Sequence, residues 1–242
     1  MTGENTFKKV KAQKSAKFDW IVYSDATFAG LAILIPIPLL DVAFEQFFKR
    51  RMPRVIARQN GLKLAPHIQL ELNRGRFSCL QSCLMAPVLL TLLLLKRLFR
   101  TILYFLTIKE SSDLLSLYWH RAFLLDYMCK AGYLQDKETG IIAAEALREV
   151  LESITTSPLT QLAKQVIALP HHILRNLRGL RWIRRGKRDA DIAQTRNLMA
   201  RTWDSFGDYF MELAEQYDQT FAKVKQVQEM QQSQLRKNGT LL

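Results

Sequence analysis

The chain is poor in turn-formers, in cysteine and in acid. Ten glycines and seven prolines in 242 residues leave long helix-period segments uninterrupted, which argues for an all-α fold. The three cysteines, Cys79, Cys83 and Cys129, are an odd set. With no secretory signal before the first apolar run near Ile21, a reducing, intracellular compartment is the simpler reading. Cys79 and Cys83 lie one helical turn apart without a second Cys or His pair, so they read as structural thiols. No phosphate loop, dinucleotide fingerprint or zinc-protease motif occurs, and Gly30 and Gly61 stand alone. His171 and His172 are neighbours and point to different helix faces; His67 and His120 are isolated. The expectation is no enzyme, no cofactor and no metal.

Acid is outnumbered: Asp plus Glu is 22 against 35 for Lys plus Arg, a formal net charge of +13. Such a balance points to a polyanion, either lipid headgroups or nucleic acid.

A long uncharged apolar run is also missing, although two shorter ones are present. A hydrocarbon span needs about 20 apolar residues, and only the thirteen from Phe28 to Leu40 qualify in the first. Pro36 and Pro38 break that run, Asp41 follows, and a second helix restarts through Phe44 and Phe48. This predicts a proline-cornered hairpin, either buried in a core or dipping into a membrane face. Asp41 and Glu45, one turn apart, could act as acid and base, pair with Arg50, Arg54 or another base, or face water. Lys49, Arg50, Arg51 and Arg54 form a basic end, Pro53 should kink or restart the helix, and Asn60-Gly61 is a stop signal.

The second run is Phe77 to Ile108. From Leu84 to Leu95 it is apolar on nearly every side. Beyond that, Lys96, Arg97 and Arg100 gather on one arc with Thr101, Tyr104 and Thr107. Leu95, Leu98, Phe99, Ile102, Phe105 and Leu106, with Leu103, fill the other. A wide apolar face beside a cationic one suits a helix lying in a membrane interface. A core helix with a solvated basic edge has the same pattern, and Cys79 to Leu95 is at the lower limit for a single span.

The remaining segments read as soluble helices. Residues 1–20 are a basic, flexible arm bearing Lys8, Lys9, Lys11, Lys14 and Lys17. Ser112-Asp113 should cap a helix through Leu114, Phe123 and Tyr127. Ile141 to Ile154 is amphipathic, and Ser157-Pro158 opens another helix. The densest cation cluster is Arg175, Arg178, Arg181, Arg184 and Arg185 with Trp182 among them, continued by Lys187 and Arg188. It suits lipid phosphates, an RNA backbone or a solvated linker. From Asp189, Trp203, Phe206, Phe210, Leu213 and Tyr217 step 3, 4, 3, 4, an a/d seam for a helix of a partner or of this chain. The tail after Met230 is expected to fray.

The pattern of apolar helix, Pro-x-Pro, Leu-Leu-Asp, apolar helix and Asn-Gly, carried by Ala29 to Leu40, Asp41, Phe44 to Ala57 and Gly61, resembles the EcsC-like and YcjF-type membrane-associated domains. Ala143 to Leu147 through Pro158 is loosely similar to their later helices. Leu39 stands where a Gly commonly follows the proline corner. The resemblance implies association with the bacterial inner membrane and supplies no catalytic residue.

The chain is thus expected to be an all-α helical bundle: an arm over 1–20, a membrane-associated domain over 21–188 and an amphipathic helix over 189–242. Its expected role is structural or adaptor, binding anionic lipid on the cytoplasmic face of the inner membrane and docking a protein through the C-terminal helix. The alternatives are a soluble nucleic-acid-binding protein, or an integral protein with one or two spans.

Overall fold

The computed structural model describes residues 2–34, 40–74, 100–169 and 190–239. Among them every regular element is helical, and the all-α expectation holds. In chain order the helices are α1 (Thr2–Ala16), α2 (Trp20–Leu31, extended by a 3-10 turn over Ala32–Leu34), α3 (Leu40–Gln59), α4 (Pro66–Asn73), α5 (Arg100–Ala131), α6 (Lys137–Ser153), α7 (Leu159–Ala168), α8 (Ala190–Trp203) and, after a 3-10 turn at Asp204–Phe206, α9 (Gly207–Gly239).

Local chemistry sets most of these boundaries. The Asp19 carboxylate accepts from Ile21 N and caps α2, and Asp136 accepts from Thr139 N and caps α6. Gly61 at φ 70° closes α3, with Leu62 N reaching back to Ala57 O. Gly132 at φ 88° closes α5 in the same way, with Tyr133 N on Met128 O. Pro66 occupies the first turn of α4, where its missing N–H costs nothing.

α5 is the axis of the fold. Every residue from Tyr118 to Cys129 is buried, as a helix surrounded by other helices requires. α2 packs along it in the opposite direction, with Gly30 on Leu115 and Thr27 Oγ1 accepting from Trp119 Nε1. α3 runs parallel to it, with Glu45 accepting from Tyr118 and Asn60 donating to Asp126. α9 is also parallel: Tyr209 meets His120, Phe210 stacks near Phe123, and Asp218 accepts from Tyr127 and Tyr133.

Several expectations are corrected. The arm of residues 1–20 contains helix α1, because its lysines surround a face of small residues, Ala12, Ser15 and Ala16, that lets it lie against α5 and α9. No helix starts at Ser112-Asp113. α5 runs continuously through them, since Ser111 and Ser112 are buried and Ser112 Oγ back-bonds to Lys109 O instead of capping. α3 continues through Pro53. The tail is helical to Gly239 rather than frayed at Met230. Ala12, Tyr23, Trp119, Leu147, Phe210 and Val224 share one core, so the expected boundaries at 20 and 188 do not separate packing units.

The seam packs on this chain. Trp203, Phe210, Leu213 and Tyr217 are buried, and Phe206 is half-buried, against α2, α5 and α6. The docking use of these five residues is therefore replaced by an internal one: a row of mostly aromatic residues at this spacing covers the axis helix, and among the described residues the last buried one of α9 is Val224.

Candidate anion- and membrane-facing surface

α3 has two faces, and they differ in chemistry. At 3.6 residues per turn, Ala43, Phe47, Arg50, Arg51, Arg54 and Arg58 fall within an arc of about 100°, and all six are exposed. Phe47 is 55% exposed, an unusual position for a phenyl ring on a helix whose other phenylalanines, Phe44 and Phe48, pack on the core. Arg51, at the edge of the stripe, turns back to the buried Asp25 at 3.1 Å. Burial raises the carboxyl pKa of Asp25, and Arg51 opposes that rise. The contact lacks hydrogen-bond geometry, so Asp25 Oδ2 has an ion-pair neighbour without a directed donor.

The inner face carries Glu45, Lys49, Met52 and Ile56. Glu45 accepts from the Tyr118 hydroxyl, which burial and that carboxylate hold well above the usual phenol range. Its hydrogen-bond partner is thus Tyr118, and of the bases the sequence offered it is Lys49, one turn on, that shares its face, while Arg50 and Arg54 stand on the outer one. Asp41 accepts from Val42 N in the first turn of α3. Among the described residues the two carboxylates do not converge on a histidine.

α2 runs past Leu115 toward the start of α5, and α3 begins on the same side, so the end of α2 and the first turn of α3 mark the hairpin end of the bundle, where α5 begins. α4 passes from Gly140, beside Ile68, to Arg121, which donates to Leu72 O, and so points toward that end. α8, followed backward from Trp203 on Tyr23 to Met199 on Thr27, leads along α2 the same way to Ala190.

The expected membrane- and anion-binding residues Lys96, Arg97, Arg175, Arg178, Arg181, Trp182, Arg184 and Arg185 lie outside the described residues, as do Leu95, Leu98 and Phe99. Arg100, Ile102, Phe105 and Leu106 belong to the first two turns of α5. The first arm of the hairpin is core: Tyr23, Ala26, Ala29, Leu31 and Ala32 are buried by α3 and α5. Among the described residues no helix is long and apolar enough to cross a membrane, and no group of three ligand-type side chains could hold a metal ion.

Sequence reasoning did not single out the polar residues of α5. His120 Nε2 has the Tyr209 hydroxyl at 2.7 Å and Ser157 Oγ at 3.1 Å, while Ser157 Oγ also accepts from Leu159 N at the start of α7. Its Nδ1 faces the Ser116 carbonyl without hydrogen-bond geometry. The cluster ties α5, α7 and α9 together. Burial depresses the imidazole pKa from 6.5 to about 4. The folded state therefore favours the neutral ring, and this contribution is complete above pH 6.5 and lost as pH falls toward 4. The shift corresponds to about 3 kcal/mol. Between pH 7 and 4.5 the melting temperature of the native chain should fall more steeply than that of His120→Gln. Asp25, whose raised pKa acts in the opposite sense, is common to both proteins and cancels; parallel curves would contradict the assignment.

Cys129 is buried and its thiol is pushed up to about 12 by burial and Asp126, which fits a structural role. No family model, curated protein or solved structure matches the chain.

Proposed function

We propose that this is a structural or adaptor protein that docks on an anionic membrane surface through the hairpin end of its bundle and the outer stripe of α3. The observation that carries the reading is that stripe. An exposed phenyl ring, Phe47, stands toward the hairpin end, and Arg50, Arg54 and Arg58 continue from it on one arc with no carboxylate among them. A ring that enters the headgroup layer and guanidiniums that meet phosphates are the two kinds of contact stable attachment needs. The resemblance to the EcsC-like and YcjF-type domains, which rests on the hairpin, agrees with attachment to the cytoplasmic face of a bacterial inner membrane. The part of α9 beyond Val224, where Val227 and Met230 are exposed, is what remains for a protein partner.

Flotation of the full chain with vesicles tests this. The protein should float with phosphatidylcholine containing a third phosphatidylglycerol, and should stay at the bottom with phosphatidylcholine alone. Replacing Arg50, Arg54 and Arg58 by glutamine removes roughly 1 kcal/mol each of surface attraction, so partitioning should fall about a hundredfold with the melting temperature unchanged. Sedimentation with anionic vesicles, together with tight binding to a nucleic-acid duplex, would favour the nucleic-acid reading. Resistance of the membrane-bound protein to alkaline carbonate would instead place a span in Cys79–Leu95.

A further inference from the structure

The inner face of α3 holds a second feature that the surface reading does not use. Glu45 and Tyr118 join the parallel helices α3 and α5, and one turn further along each helix stand Lys49 and Arg121. Arg121 is buried, 8% exposed. Its Nη2 donates to Leu72 O and lies 3.5 Å from Asn73 Oδ1, where it caps the last turn of α4. Its Nε is buried and has no acceptor among the described residues. Lys49 is half-buried beside it, and burial together with the Arg121 charge lowers the ammonium pKa.

Two cations thus share this site with one carboxylate, Glu45, which is already engaged by Tyr118. The α4 terminus contributes only a fraction of a negative charge. A buried cation without a full counter-charge is costly, and the one acid of α4, Glu71, pairs with Arg74.

We propose that Arg121 and Lys49 hold a phosphate-class oxyanion between α3 and the end of α4. The free Nε edge of the guanidinium would donate to one part of the anion and the Lys49 ammonium to another oxygen. A carboxylate has two oxygens and would be spent on the guanidinium edge; a tetrahedral oxyanion keeps another for the lysine. The half-buried Lys49 gives the site its side toward solvent. The anion is either free phosphate or the phosphate of a lipid headgroup, and the site does not depend on the outer stripe of α3.

The test uses the full chain. Sodium phosphate at 10 mM should raise the melting temperature by several degrees over sodium chloride at equal ionic strength, and Lys49→Met should abolish that increment while leaving the chloride curve in place. Arg121→Met should do the same if it folds; Lys49→Met decides if it does not. Should free phosphate have no effect, vesicles of phosphatidylcholine with phosphatidic acid provide the second arm. A tenfold weaker binding of Lys49→Met, with the Arg50, Arg54 and Arg58 glutamine variant as the separate control for the outer stripe, assigns the headgroup. A phosphate increment equal in the native chain and Lys49→Met overturns the proposal. So does the absence of any phosphate or phosphatidic-acid dependence.

Discussion

Gly30→Val should unfold the protein many degrees below the native chain. A Cβ at Gly30 would lie 2.5 Å from Leu115 Cα and 2.8 Å from its Cδ1. The first of these atoms is backbone, so no rotamer change relieves the contact. α2 and α5 would have to separate by about an ångström to restore ordinary carbon contact near 3.5 Å. That movement would loosen the Trp119–Thr27 bond and pull on Phe28 against Phe48. Overpacking of this kind costs about 3 kcal/mol for alanine, with valine worse, a fall in melting temperature of roughly 6–12 °C for a chain of this size. Gly207 is the control: a Cβ there meets nothing within 4 Å, so Gly207→Ala should leave the transition unchanged or raise it. Equal shifts at the two glycines, read by thermal circular dichroism, would refute the close approach.

Trp203→Ala should be about as damaging, at roughly 3–5 kcal/mol. The indole is fully buried, with ring centres 4.2 Å from Tyr23, 5.3 Å from Phe210, 5.6 Å from Phe18 and 5.7 Å from Trp119. It is where α8, the 3-10 turn and α9 are attached to α2 and α5. Its Nε1 has no directed acceptor, so Trp203→Phe keeps most of the packing and should cost less than about 1.5 kcal/mol. The pair of variants separates an internal seam from a docking seam. A residue waiting for a partner could be truncated with little change in the melting curve, whereas this one should not tolerate it.

What the sequence made legible follows the range of the interactions concerned. α6 could be read from Ile142, Ala146, Val150 and Ile154 because a helix face is a local pattern, and the end of α3 from Asn60-Gly61 because a left-handed stop is a local requirement. The continuity of α5 through Ser111, Ser112 and Asp113 was not legible, because those residues are also good helix starters and only burial on both sides keeps them inside a helix. α1 was hidden by its four lysines, whose charge says nothing about the small residues between them. The same limit applies to the candidate site. The basic end of the hairpin is visible in composition, but its division into an outer arginine stripe and an inner Glu45–Lys49 face depends on where α5 lies. Arg121 carried one usable signal, a lone cation in the apolar run from Leu114 to Met128; its contact with the end of α4 is tertiary and left no trace in spacing.

α9 gives the molecule reach. It begins level with His120 and follows α5 away from the hairpin end for 33 residues, a rod of about 50 Å. Among the described residues its last buried one is Val224, and its last hydrogen bond to the bundle comes from Gln228, whose Nε2 donates to Glu145 Oε2. With the hairpin end resting on a bilayer, the third of that rod beyond Gln228 would stand clear of the headgroups by more than the thickness of the layer itself. Anything gripping Val227 and Met230 would be held at a fixed height, set by the pitch of one helix rather than by the slack of a tether.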